Sequence, residues 1–189
     1  MKSMKMTPKM KNLRNIAATL VLGLALTGCG GKKESGAGKP APADAEQQIE
    51  AVLLKAEPEG AVGVAAARQS AKPGDTIVVT GRVAGADQPF TEGYAVVVLG
   101  DDALQTCERI PGDECETPWD ACCEDPDKIK ASRISVQVLG EDGRPAARSL
   151  KGVGGIKELD TLVVKGTVAD SSSADNLILT ASGIFRKTP

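Results

Sequence analysis

The sequence contains no histidine, and aromatic residues make up only 2% of it. Histidine is the side chain that most often acts as a general base near neutral pH, so its absence weighs against ordinary acid–base catalysis. The chain also lacks a Ser-x-x-Lys or Gly-x-Ser-x-Gly nucleophile motif and a phosphate-binding loop. We therefore expect a protein that is not an enzyme and that uses no cofactor.

No hydrophobic run is long enough to cross a membrane. The apolar run from Ile16 to Leu26 is short, whereas a bilayer of about 30 Å hydrocarbon thickness needs roughly 20 apolar residues. No acidic residue occurs before Cys29, and five basic residues precede the run: Lys2, Lys5, Lys9, Lys11 and Arg14. A basic flank before a short apolar core is typical of a secretory signal peptide, which predicts that residues 1–28 are a leader.

The leader ends in Leu26-Thr27-Gly28-Cys29, which resembles the bacterial lipobox at all four positions. The resemblance implies cleavage before Cys29 and attachment of lipid to that cysteine, which would anchor the protein to a membrane of the cell envelope. Gly30, rather than aspartate, follows the cysteine. In a bacterium with two membranes we therefore expect the periplasmic side and the outer membrane.

Basic residues are scarce once the leader is removed. The mature chain keeps 18 basic residues against 25 acidic ones, a net charge of about −7. Nucleic-acid phosphates demand a basic surface, so nucleic acid is excluded as a partner. The expected partners are the membrane, reached through the lipid on Cys29, and an envelope protein or glycan that the sequence does not identify.

The first part of the mature chain is predicted to be a tether. Residues 29–43 carry no apolar side chain larger than alanine or proline, too little to offset the entropy of ordering. Residues 44–71 are expected to form a helical segment and a connector, with Asp44 capping a helix that runs to about Lys55. Pro58 and Gly60 would prevent the helix from continuing.

The rest of the chain, residues 72–189, is predicted to be all-β. Five segments are rich in β-branched residues or alternate between apolar and polar: 76–83, 94–99, 134–138, 159–168 and 177–185. Five strands with a short irregular link between the third and fourth predict a small OB-fold-like barrel. Gly81 and Gly166 sit where its strands would bend. We expect its core to contain Ile77, Val79, Val136, Val138, Val164 and Leu179.

Residues 101–130 form a cysteine-rich insertion between the second and third predicted strands. It contains Cys107, Cys115, Cys122 and Cys123, and an even number of thiols in an exported protein predicts two disulfides. A bond between the neighbours Cys122 and Cys123 would close a strained ring. Each of them is therefore expected to reach back, one to Cys107 and the other to Cys115, although the pairing stays open.

A thiolate metal site is the alternative interpretation of the same cysteines. Four thiolates are able to bind zinc or copper, which would make the chain a metal-binding lipoprotein. The cysteines are separated by seven, six and zero residues, whereas zinc ligands usually come in close pairs, and no histidine exists to complete a mixed site. No metal is therefore expected. The lack of a Cys-x-x-Cys pair also weighs against a redox-active thiol.

The insertion is strongly acidic and holds the only tryptophan. Between Asp101 and Lys128 there are ten acidic residues and two basic ones, which is typical of a solvated face, and no EF-hand spacing points to calcium. Trp119 is expected to pack beneath the disulfides as a small core for the insertion. An exposed indole would instead be a contact for a partner or glycan.

The segment from Cys115 to Cys123, Cys-Glu-Thr-Pro-Trp-Asp-Ala-Cys-Cys, resembles a group of uncharacterised bacterial envelope lipoproteins. With the flanking strands, the resemblance covers residues from about Lys72 to the C-terminus. It implies a shared architecture and carries over no activity. We therefore expect a membrane-anchored binding or structural module that is not catalytic.

Replacing the predicted lipidation site tests the anchor. Cys29→Ala should leave an unlipidated precursor and release the protein from the membrane fraction, since the thiol that receives the lipid is gone. Intact mass and detergent-phase partitioning measure both effects. A wild-type mature protein without acyl mass would contradict the prediction, and density-gradient separation of the membranes tests the expected outer-membrane location.

Overall fold

The computed structural model describes residues 42–187. Its helices and strands follow one another as α1 (Pro42–Ala51), β1 (Val62–Gly63), α2 (Val64–Ser70), β2 (Thr76–Arg82), β3 (Val96–Gly100), α3 (Pro126–Ala131), β4 (Arg133–Gln137), β5 (Thr161–Val168) and β6 (Ile178–Lys187). Two 3-10 helices occupy Cys107–Arg109 and Val153–Gly155. The expected signal peptide, Cys29 and the tether up to residue 41 lie outside the described residues.

Five of the strands close into a barrel. The order along the sheet is β2-β3-β4-β6-β5, and β5 pairs back onto β2, while the two-residue β1 lies outside and runs parallel to β2. All the barrel pairings are antiparallel except that between β4 and β6. This is the strand order of an OB-fold, so the predicted five-stranded barrel with a cysteine-rich insertion between its second and third strands is confirmed.

The barrel core is built from the apolar, mostly β-branched residues that the sequence pattern indicated. Val79, Val136, Val164 and Leu179 are fully buried, and Val138 is 2% exposed. Ile77 is only half-buried and packs against the edge of this core, which corrects the expectation for that residue. Alternation places one face of β2 and of β4 in the core, whereas Leu162, Val163 and Val164 of β5 are all buried.

Two strand glycines are required by close approach between elements. A Cβ on Gly166 would lie 2.4 Å from the carbonyl oxygen of Thr180, at the point where the register of β5 and β6 shifts by a β-bulge. A Cβ on Gly81 would lie 2.7 Å from Cγ2 of Val64, because α2 packs directly on β2 at this point. Both glycines therefore allow contacts that any side chain would prevent.

The N-terminal helix differs in its bounds from the prediction: it begins at Pro42, so Asp44 lies in its first turn instead of capping it. It ends at Ala51 instead of near Lys55, because the next residues pair with β6: the amide of Leu54 donates to the Ile184 carbonyl at 2.8 Å, and the Ile184 amide donates to the Val52 carbonyl at 2.7 Å. The tertiary hydrogen bonds replace the last helical turn. No helix in the described range is long and apolar enough to cross a membrane.

Substitution of Gly166 tests this account of packing. Gly166→Ala should destabilise the protein by about 1 to 3 kcal/mol, because the new methyl group overlaps a backbone oxygen. Thr167→Ala, at the exposed neighbouring position, is the control and should change the free energy of unfolding by less than about 0.5 kcal/mol. Urea unfolding followed by far-ultraviolet circular dichroism measures both. Equal stability of the two variants would contradict the prediction.

Candidate functional site

The insertion is attached to the barrel first through Asp101, the residue that follows β3. One carboxylate oxygen of Asp101 accepts a hydrogen bond from the backbone amide of Ala65 at 2.7 Å, in the first turn of α2. The other accepts from the amide of Ala103 at 3.0 Å. Asp101 thus satisfies a helix N-terminus that has no side-chain cap of its own, and it fixes where the insertion leaves the barrel.

Ion pairs provide the second attachment. The Arg82 guanidinium, at the end of β2, donates to Glu108 at 2.6 Å and to the hydroxyl of Thr106 at 3.3 Å. Partial burial alone would raise the pKa of Glu108, but hydrogen bonds from Thr106 and Arg82 lower it overall. Arg109 pairs with Asp102 at 2.7 Å and, through that hydrogen bond, lowers the pKa of Asp102. Part of the acidic run is therefore bound to cations of the protein itself.

Three of the four cysteines are brought together. The sulfur atoms of Cys107, Cys115 and Cys122 all lie within 4.8 Å of one another, and those of Cys107 and Cys122 are 3.5 Å apart. Cys107 is 2% exposed, Cys115 is half-buried and Cys122 is exposed. The Cys123 sulfur lies 3.8 Å from that of Cys122 and is not part of the three-sulfur group. All four are free thiols in this structure.

Backbone pairing within the insertion explains why these cysteines meet. The Cys107 amide donates to the Asp120 carbonyl at 2.8 Å, and the Glu108 amide donates to the Pro118 carbonyl at 2.9 Å. These bonds hold the start and the end of the Cys107–Cys122 loop side by side. The Cys115 sulfur is placed 3.4 Å from the hydroxyl oxygen of Thr117.

The thiols differ in their acidity. Burial raises the pKa of the Cys107 thiol, and its contacts with the neighbouring thiols add to this. Hydrogen bonding with Thr117 lowers the pKa of the Cys115 thiol.

A disulfide between Cys107 and Cys122 would need the two sulfur atoms to approach to about 2.05 Å. The two expected disulfides stay a prediction, and the second would have to recruit Cys123 from outside the three-sulfur group.

Trp119 lies against the loop between β2 and β3. Its indole nitrogen donates to the Asp87 carbonyl at 2.8 Å, and its carbonyl accepts from the Gly85 amide at 2.9 Å. The indole is half-buried. Its anchoring contact is with a barrel loop, which corrects the expectation of a small core confined to the insertion.

An open cavity of about 570 Å³ lies beside the indole. Its walls come from the β2–β3 loop, the insertion and the link that precedes β5: Asp87, Gln88, Pro89, Phe90, Glu92, Thr117, Trp119, Ser149, Lys151 and Glu158. The Lys151 ammonium pairs with Glu158 at 2.5 Å. Of these wall residues, the sequence predicted only Trp119 as a possible contact for a partner. Phe90 is one of only four aromatic residues in the chain, and this scarcity could have indicated it as a second aromatic wall residue.

No protein-family model and no curated protein matches the chain. Among solved structures, a crystal structure assigned as an aspartyl-tRNA synthetase of Leishmania major Friedlin is similar, with a TM-score of 0.40 and 13% identity. The match covers 76% of this chain and 25% of that one, so the chain spans about a quarter of that protein's length.

Removing the Asp101 carboxylate tests how the insertion is attached. Asp101→Ala should destabilise the protein by about 1 kcal/mol, because a helix N-terminus loses its acceptor. Glu114→Ala, which removes an exposed acid from the same insertion, should leave the stability within about 0.5 kcal/mol of the wild type. Urea unfolding gives the free energies, and limited proteolysis shows whether the insertion loosens first. The prediction fails if both variants unfold at the same urea concentration as the wild type.

Proposed function

We propose that this chain is a lipid-anchored envelope protein that acts as a non-catalytic binding module, with the cavity beside Trp119 as its binding site. The observation that carries the proposal is an open cavity of about 570 Å³ with two aromatic walls, Trp119 and Phe90. Small-ligand sites commonly have volumes of about 300 to 1,000 Å³ and combine apolar walls with a few polar groups. The lipobox at Cys29 supports the anchor, which would hold this cavity at a membrane surface.

The cavity is preformed by contacts that do not involve a ligand. The hydrogen bond from Trp119 to the Asp87 carbonyl fixes one aromatic wall. Phe90 is 9% exposed, and its backbone pairs in the antiparallel sense with Val97 of β3. Walls that are rigid before binding lose little conformational entropy when a ligand arrives, which favours affinity.

The chemistry of the walls favours a neutral, polyhydroxylated ligand such as an envelope glycan. Three carboxylates, Asp87, Glu92 and Glu158, line the cavity against the single ammonium of Lys151, which is already paired with Glu158. This charge disfavours anions. An indole face with hydroxyl, amide and carboxylate groups around it suits a sugar ring, which has apolar faces and a polar rim.

Calorimetric titration with neutral oligosaccharides released from the bacterial envelope tests the proposal. The wild type should bind saturably, and Trp119→Ala should weaken binding by at least about tenfold, because it removes the main apolar wall. Tyr94→Ala is the matched control: this aromatic side chain is 48% exposed and does not line the cavity, so affinity should be unchanged.

Tryptophan emission provides a second readout, because Trp119 is the only tryptophan in the chain. A glycan that stacks on the indole should shift its emission in proportion to the bound fraction. If no glycan binds saturably and an envelope protein is cross-linked to the chain only when Trp119 is present, the ligand is a protein instead of a glycan. Binding that survives Trp119→Ala unchanged would overturn the assignment of the cavity.

A further inference from the structure

We propose that Cys107, Cys115 and Cys122 form a three-sulfur site for a soft monovalent metal ion, and that cuprous copper is the ion that the geometry fits best. The site is separate from the Trp119 cavity, and the proposal does not depend on glycan binding. The observation is the convergence of three thiols from distant positions of one loop, with all sulfur–sulfur distances at or below 4.8 Å.

The distances suit three-coordinate binding. Metal–sulfur bonds of about 2.3 Å in a trigonal plane require the sulfurs to lie about 4.0 Å apart. The Cys107 and Cys122 sulfurs are 3.5 Å apart, and the whole group lies within 4.8 Å. Movements of a few tenths of an ångström would therefore bring all three sulfurs to bonding distance, without a change in the backbone pairing between Cys107 and Asp120.

The ligand set favours copper in its cuprous state. Thiolates are soft ligands that select Cu(I), zinc or iron–sulfur clusters, and the group contains sulfur alone. Structural zinc almost always takes four ligands, but the fourth thiol, that of Cys123, lies outside the group. Cuprous ions accept three sulfurs readily. Binding involves no electron transfer: three thiols release three protons as three copper–sulfur bonds form.

The surroundings provide both a closed and an open side. Cys107 is buried, which shields one side of the site from water. Cys122 is exposed, so an ion can reach the sulfurs from solvent. The Thr117 hydroxyl, 3.4 Å from the Cys115 sulfur, is placed to donate to that sulfur when it is a thiolate.

Anaerobic titration of the full lipidated chain, in detergent and after reduction with a non-thiol reductant, tests the site. Cu(I) is supplied from a chromophoric chelator, whose colour change reports the copper transferred. We expect one equivalent of copper per chain and an ultraviolet thiolate-to-copper absorption band. Cys107→Ser, Cys115→Ser and Cys122→Ser should each weaken binding by more than the roughly 10–100-fold that an outer-shell change costs.

Cys123→Ser is the matched control, since it removes the neighbouring thiol while sparing the three sulfurs, and its copper affinity should fall by no more than about tenfold, the lower end of the cost of an outer-shell change. Far-ultraviolet circular dichroism checks that each variant keeps the barrel. A readout that needs no variant is alkylation mapping: bound copper should protect Cys115 and Cys122 from iodoacetamide and leave Cys123 reactive.

Four outcomes would overturn the proposal. Equal losses of copper affinity in Cys123→Ser and in the other three variants would indicate a four-sulfur site. Tighter binding of one zinc ion than of copper would assign the cysteine site to zinc. Failure of the reduced protein to take up either metal would leave the thiols without a metal role. A protein isolated about four protons lighter than its reduced form, and inert to metal after reduction, would establish two structural disulfides instead.

Discussion

Closure of the barrel by β2 and β5 is the constraint on which the rest of the structure depends. The two strands pair over seven residues, from Thr76 opposite Thr167 to Arg82 opposite Thr161. Both edges of the five-stranded barrel are thereby paired, so the backbone groups of β2 and β5 are satisfied without another chain. The closed barrel also presents its loops from fixed points, and both candidate sites are built from those loops.

A partly buried ion pair between Asp160 and Arg186 connects the barrel to one wall of the cavity. Asp160, 8% exposed, accepts from the Arg186 guanidinium at 2.7 Å and from the Lys157 amide at 2.9 Å, while its carbonyl accepts from the Val83 amide at 2.8 Å. The hydrogen bond with Asp160 raises the pKa of Arg186 and so favours the charged guanidinium. These bonds fix the residues before β5, and hence the cavity wall that contains Glu158.

The insertion depends on polar contacts more than on a core of its own. Asp101 binds the start of α2, Arg82 binds Glu108, and the carbonyl of Trp119 accepts from the barrel loop. Such contacts position a loop without burying much apolar surface. The same loop holds a buried thiol beside two accessible ones, the arrangement that suits uptake of a soft ion.

The sequence alone determined the elements that depend on local pattern: five strands, from their β-branched runs and alternation; most of the core; and the place of the insertion. It also contains Leu26-Thr27-Gly28-Cys29, a linear motif that resembles a lipobox. Only the tertiary structure decided where α1 ends, because the residues after it form backbone hydrogen bonds with β6. It also decided that three cysteines lie close together without Cys123, and that Trp119 contacts the β2–β3 loop. These depend on hydrogen bonds between segments far apart in the chain, and local spacing and propensity contain no information about such partners.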